Sequence, residues 1–396
     1  MAEATRLVEA VTSAGEPDAG FGLYVHWPFC AAKCPYCDFN SHVTDHVDHG
    51  RWAAALCAEV ERVAARTRDR LLTSIFFGGG TPSLMAPETV ARVIDAARRG
   101  WRGTNDLEIT LEANPTSSDA ERFEGFAKAG VTRLSLGVQA LNDEDLRRLG
   151  RQHSAEEALA AVARARAQFD RVSFDLICAR QHQRREAWQA ELMRALDLGM
   201  DHLSLYQLTI EPGTAFARRY ASGGLAGLPD EDLAADLYET TLETCARHGL
   251  DSYEVSNFAR SGAECRHNLT YWRGGDYAGV GPGAHGRLTL EAGRVATEQP
   301  AQPGAWLAAA EAGAATKYID LSLEDQSVEY VLMGLRKREG LHLATLARLE
   351  PVPGRLRARA AQLREEGLLR EADDRLAATV RGRLLLDSVT AALLDG

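Results

Sequence analysis

The chain has 396 residues, 45% of them hydrophobic, and a formal net charge of -11. That length supports one large domain plus a smaller one. The acidic balance argues against a general nucleic-acid or anionic-membrane binder, because phosphate-rich partners call for basic patches. No apolar run is long enough to span a bilayer. Residues 1–20, MAEATRLVEAVTSAGEPDAG, lack a basic start followed by an apolar stretch and a cleavage pattern. A cytoplasmic protein with a short N-terminal extension over residues 1–20 is therefore expected.

From residue 21 to about 215, short apolar runs alternate with longer amphipathic segments. Strands are predicted at 21–26, 75–77, 107–111, 133–138, 171–177 and 202–208. Helices are predicted at 47–67, 87–99, 119–129, 155–167 and 185–198. Ser118 with Glu121, and Ser154 with Glu157, have capping-box spacing. Gly100, Gly130 and Gly199 sit where helices should stop. Such alternation implies α/β architecture with a parallel sheet and right-handed crossovers. Six units fall short of a closed eight-fold barrel, so a partial (β/α)6 barrel over 21–215 is expected, with ligands at the carboxyl ends of its strands.

Beyond residue 215 the alternation fades. Residues 222–229 read as a loop, 230–248 as a long helix, and WRGGDYAGVGPGAHG (272–286) as a glycine-rich stretch. An Ala/Gly/Pro-rich passage near 291–315 suggests a boundary between an extension (216–300) and a small C-terminal domain (301–396). There, helices around 323–338 and 353–367 followed by a short hairpin suggest a helical, winged-helix-like module.

The polar residues gather where strands end. The first strand leads into HWPFCAAKCPYCDFN, with Cys30, Cys34 and Cys37 spaced Cys-x3-Cys-x2-Cys. Cysteines this close in an intracellular chain read as metal ligands. Three thiolates on a four-iron cube leave one iron open, while structural zinc with His26 or His42 as fourth ligand is the alternative. The second strand ends in FFGGGTPS, whose glycines allow close backbone approach. The third ends in Glu112, the fourth in Gln139, and the fifth carries Asp175 among apolar neighbours. A buried acid is costly unless partnered. Cys57, Cys178, Cys245 and Cys265 read as ordinary small apolar residues.

This constellation resembles the radical S-adenosylmethionine (SAM) proteins. The resemblance implies a [4Fe-4S] cluster on Cys30, Cys34 and Cys37, with SAM chelating the open iron. It also implies that the reduced cluster cleaves SAM to a 5′-deoxyadenosyl radical. It carries SAM contacts over to Gly79, Gly80 and Thr81, to Glu112, Gln139 and Asp175, and to Tyr24 and Tyr36. Arg151 is a partner for the SAM carboxylate, since a guanidinium binds carboxylates in a bidentate fork.

Over nearly the whole chain the resemblance is to the oxygen-independent coproporphyrinogen III oxidase-like family, and within it to the HemW-type heme-chaperone branch. The dehydrogenase branch carries a further cysteine where this chain has Phe39, and a longer segment ahead of its loop. The motif HNLTYW (267–272) resembles the chaperone branch. It makes His267 a candidate heme ligand, with Cys265 as a competing one. The cofactors implied are the cluster, SAM and heme. The partners implied are acceptor hemoproteins, membrane-associated respiratory enzymes among them, and a second copy of the chain as a homodimer. Coproporphyrinogen oxidase activity is not expected, although the scaffold could cleave SAM. The rivals are the dehydrogenase itself and a zinc-stabilised barrel of unrelated activity. One departure stands out: where the family has a proline-glycine turn after the fifth strand, this chain has Gln181 and His182.

Overall fold

The computed structural model describes residues 19–44, 46–349 and 354–394. Most of the expected N-terminal extension, residues 1–18, lies outside the described residues. Six strands follow in chain order: β1 (Phe21–Trp27), β2 (Leu71–Gly79), β3 (Arg102–Ala113), β4 (Arg133–Gln139), β5 (Arg171–Cys178) and β6 (His202–Gln207). Each pairs in parallel with the next. The helices between them include α1 (His49–Arg66), α2 (Pro87–Gly100), α3 (Phe123–Ala129), α4 (Ala155–Gln168) and α5 (Arg185–Asp197).

Period-two alternation sorts each strand into two faces. Leu23, Val25 and Trp27, then Phe77, Leu111, Leu136, Phe174 and Leu205, pack with helix residues such as Leu56, Ile94 and Leu192 in one core. Burial of each large side chain contributes roughly 1.5–3 kcal/mol. The intervening residues, Tyr24, Phe76, Glu112, Asp175 and Ser204 among them, face the inside of the curved sheet. The core therefore forms on one face and a polar and aromatic chamber on the other.

Ser154 and Glu157 form the expected capping box at α4. Ser118 and Glu121 do not. Thr116 Oγ1 already accepts the Asp119 amide, so a short turn (Ser117–Ala120) comes first and α3 starts only at Phe123.

The glycine-rich stretch departs from expectation. Asp276–Val280 forms a strand that pairs in parallel with β1 on the side away from β2. It leads into the hairpin His285–Leu290 and Gly293–Glu298, so the sheet runs to twelve strands. Glycine is required here. A Cβ on Gly279 would lie 2.0 Å from the His285 carbonyl oxygen, so only glycine lets the hairpin backbones approach. Turn-rich composition concealed a strand.

The passage near 291–315 carries the second hairpin strand and the helix Pro303–Glu311. Its Trp306 is fully buried and stacks on Trp52 at 5.2 Å. A separate hydrophobic cluster begins only at Tyr330 and runs to Leu393. It joins the helices Leu323–Gly334, Arg355–Glu365 and Leu386–Leu394 to a three-stranded sheet of Leu341–His342, Arg375–Ala378 and Leu369–Ala372. Among the described residues, no helix is long and apolar enough to cross a membrane.

Candidate functional site

The cysteine loop leaves β1 and is tied at both ends, because Phe29–Cys30 pairs with His42–Val43. Asn40 clamps it further: its Nδ2 donates to the carbonyls of Pro282 and Ala301 at 2.9 and 2.8 Å. The His26 Nε2 lies 2.9 Å from the Asn40 carbonyl, which can only accept, so that nitrogen carries the proton. Its Nδ1 then accepts from the Tyr24 hydroxyl at 2.9 Å. His42 Nε2 meets Asn40 Oδ1 at 3.1 Å. Both histidines weighed as zinc ligands thus have hydrogen-bonding partners of their own.

Two of the sulfurs receive hydrogen bonds, Cys30 from Thr81 Oγ1 at 3.3 Å and Cys34 from Arg151 Nη1 at 3.4 Å. Burial pushes the Cys30 and Cys37 thiols up, and charge on Cys34 pushes them further. The three sulfurs are therefore electrostatic neighbours, and metal binding must displace protons. Among the described residues, no three His, Cys, Asp or Glu side chains converge as ligands of one ion. A cubane makes a different demand: its thiolates sit on separate irons and need only border a common space. Soft sulfur donors with a guanidinium and a hydroxyl aimed at them fit that group.

The FFGGGTPS turn is zipped to the start of this loop. Gly80 N donates to the Trp27 carbonyl at 2.7 Å and Thr81 N to the Phe29 carbonyl at 2.8 Å. A Cβ on Gly80 would lie 2.8 Å from the Phe29 oxygen. Gly79 has φ +111° and faces the His26 ring, a conformation open to glycine.

Glu112 and Asp175 project into the chamber from β3 and β5. Burial, followed by the Asp175 charge, raises Glu112 to about 8, against a hydrogen bond from the Gly79 amide. Burial raises Asp175 to about 6, partly offset by Ser204, Arg133 and Ser135. Gln139 is held at φ 71° at the end of β4.

Arg151 is the hub. Besides Cys34, its Nη2 donates to Asn114 Oδ1 at 2.7 Å and to the Gly137 carbonyl at 2.9 Å. Asn114 Nδ2 in turn donates to Thr81 Oγ1 at 3.3 Å. Tyr36 packs on Phe216 and its hydroxyl is raised by burial, with Arg151 opposing. The structure thus brings Cys30, Cys34, Tyr36, Thr81 and Arg151 into one network. Asn114 and Asn40, which brace it, are missed by sequence reasoning. Their one signal is position, just after a strand-end acid and just after the cysteines.

His267 lies elsewhere. The helix Arg266–Trp272 plugs the amino-terminal end of the strands, and His267 is 1% exposed. Its Nδ1 meets Ser74 Oγ at 2.8 Å, its Nε2 meets the Tyr271 hydroxyl at 2.6 Å, and its ring stacks on Phe76. Burial lowers its pKa to about 3. Iron ligation through either nitrogen would break one of these hydrogen bonds. Cys265 is fully buried, hydrogen-bonded to Glu108 and pushed up to about 12 by burial. It serves the plug rather than any accessible site.

The departure at Gln181 and His182 is resolved by long-range contacts. His182 N donates to the Gly227 carbonyl at 2.6 Å, and Gln181 Nε2 to the Ala226 carbonyl at 2.7 Å. Ala179 and His182 both take positive φ, 57° and 59°, at about 1 kcal/mol each. The 222–229 loop offsets that cost and shapes the turn that a proline-glycine pair would otherwise set.

The chain has counterparts among known proteins. The Radical SAM superfamily matches residues 24–189 and the HemN C-terminal domain residues 321–385. The heme chaperone HemW of Mycobacterium tuberculosis is 39% identical over 391 residues, covering 98% of each chain. The Escherichia coli heme chaperone HemW is 41% identical over 69% of this chain and 71% of its own. The bovine radical S-adenosyl methionine domain-containing protein 1, mitochondrial, is 39% identical over 94% of this chain and 87% of its own. Among solved structures, coproporphyrinogen III oxidase (HemN) from Escherichia coli matches 99% of this chain and 93% of its own. It does so at a TM-score of 0.78 and 23% identity, a likeness of fold. The chain belongs to the radical SAM superfamily, within the oxygen-independent coproporphyrinogen III oxidase-like family that includes the HemW proteins.

Proposed function

We propose that the chain is a heme chaperone: it holds a [4Fe-4S] cluster and SAM in the chamber and passes heme to acceptor hemoproteins. The observation that carries this reading is the end-to-end match to a protein named as a heme chaperone, over 98% of both chains. Phe39, 59% exposed where the dehydrogenase branch carries a cysteine, agrees with it. Membership in the superfamily implies SAM and the cluster. When bound, the reduced cluster supplies an electron to the SAM sulfonium.

The residues divide the work. Cys30, Cys34 and Cys37 ligate three irons, and Thr81 and Arg151 donate to two of the sulfurs, spreading the thiolate charge. Arg151 also joins two strand ends to the loop, so the loop cannot shift without breaking the network. Gly79 and Gly80 keep the backbone close, and Glu112, Gln139, Asp175, Tyr24 and Tyr36 line the space for the cosubstrate.

Glu112 gives this a pH signature. Its folded pKa of about 8 leaves the carboxyl protonated at neutral pH, whereas an amino group donating to it favours the ionised form. SAM affinity is therefore expected to rise with pH from about 6.5 to 8, by up to about tenfold per unit. Glu112→Gln should flatten that rise, as isothermal titration can read. An unchanged slope in the variant would remove Glu112 from the site.

Two assays on anaerobically reconstituted protein test the function. Hemin should bind and pass to an apo-hemoprotein, and coproporphyrinogen III should not be converted to protoporphyrinogen IX. Conversion at a useful rate would overturn the chaperone reading in favour of the dehydrogenase.

A further inference from the structure

A cavity of about 1030 Å³ lies beside the SAM chamber, on the same face of the sheet. It is bounded by β1, the hairpin that follows Asp276–Val280, and the C-terminal helix Leu323–Gly334. Its size is at the upper end of the roughly 300–1,000 Å³ typical of cofactor pockets. Tyr24 and His26 belong to its wall, so it adjoins the candidate SAM site.

Its chemistry runs against the rest of the chain. Five arginines line it against three acids, in a protein of net charge -11. Arg70 and Arg294 share the single carboxylate of Asp276, at 3.2 Å each. Arg348 is exposed and reaches the Thr345 hydroxyl, with no acidic partner among the described residues. Arg273 is paired with Glu339 and Arg287 with Glu329, so the surplus positive charge falls to Arg70, Arg294 and Arg348. Leu71 and Leu323, 46% and 54% exposed, also line it and present bare apolar surface. Tyr271 and Trp272 add aromatic walls. An apolar, planar dianion would satisfy all of these groups together.

The histidines separate by elimination. His26 and His267 each have both ring nitrogens engaged. His285 lines the cavity, is exposed, and makes no side-chain hydrogen bond among the described residues. Of the HNLTYW motif, Tyr271 and Trp272 line the cavity, while His267 turns from the plug onto β2, against Ser74 and Phe76.

We propose that this cavity is the tetrapyrrole site, with His285 as the axial iron ligand and the surplus arginine charge of Arg70, Arg294 and Arg348 meeting the two propionates. The proposal rests on the heme reading above and specifies where heme sits. His285 then ligates the iron from the hairpin, and the C-terminal helix covers the macrocycle. Because Leu323 and Arg348 belong to the C-terminal unit, movement of that unit would open the cavity for transfer.

Hemin titration into the full-length, cluster-reconstituted protein tests it. Difference spectra and resonance Raman scattering would report the axial ligand. His285→Ala should weaken hemin binding at least tenfold and shift the Soret band, and added imidazole should restore the band. His267→Gln should leave the band where it is. Arg348→Ala should weaken both hemin and metal-free protoporphyrin about threefold or more, whereas His285→Ala should leave metal-free protoporphyrin unaffected. Wild-type hemin affinity and an unshifted band in His285→Ala would overturn this site alone. Failure of the wild-type protein to bind hemin would overturn the heme reading and the site together.

Discussion

Exchanging Cys37 for serine is expected to take iron and sulfide from about four of each per chain to near zero after anaerobic reconstitution. The geometry makes the loss complete rather than partial. Two cysteines would remain, and neither neighbouring histidine can replace the third without giving up its bonds to Asn40. Cys57→Ser should keep full iron content, because that residue lies on α1, within the helix layer outside the sheet. Arg151→Gln should fall between the two. It keeps all three thiols but loses the donor to Cys34 and the tie to Asn114 and Gly137. Cluster content should drop severalfold in that variant, with SAM affinity dropping further. Four irons retained by Cys37→Ser would disprove the ligand set, and one zinc per wild-type chain would restore the zinc reading.

Replacing Glu108 with alanine is expected to destabilise the fold by about 3–5 kcal/mol. The carboxylate is 3% exposed and holds the plug in place. It is ion-paired with Arg171 and accepts from the amides of Arg266 and His267 at 2.9 and 3.4 Å. It thereby satisfies donors at the start of Arg266–Trp272 that have no partner inside the helix. Arg171 also donates to the carbonyls of Ala263 and Glu264, so one ion pair binds the strands to the incoming segment. Alanine leaves that guanidinium without its anion and uncaps the helix. Glu108→Gln should recover part of the loss, because an amide oxygen still accepts from the two backbone amides. A lowered urea midpoint, ordered alanine below glutamine below wild type, is the measurement. Equal midpoints would show that packing alone seats the plug.

Most of the strand-end residues are legible in the amino-acid sequence. Glu112, Gln139 and Asp175 each break an apolar pattern at or near the end of a strand, where only a ligand or a partner offsets the cost of burying a polar group. Cys30, Cys34 and Cys37 are close in sequence and need no folding to be recognised as a set. His267 shows the opposite case. Its motif marks it for iron, but one ring nitrogen is taken by Ser74 on β2 and the other by Tyr271 one helical turn on. Neither engagement is visible in a string of letters.

Local periodicity and spacing are therefore enough for the six parallel strands, most of the helices between them and the cysteine loop, because each rests on residues within one turn or one pleat of each other. The start of α3, where Thr116 takes the Asp119 amide, is the exception. Asp276–Val280 needs β1 as a neighbour to become a strand, His182 needs Gly227 to hold its backbone, and the cavity at His285 exists only where the hairpin meets the C-terminal helix. Those features depend on contacts between residues tens to hundreds of positions apart, and chain closure, rather than local preference, brings such residues together.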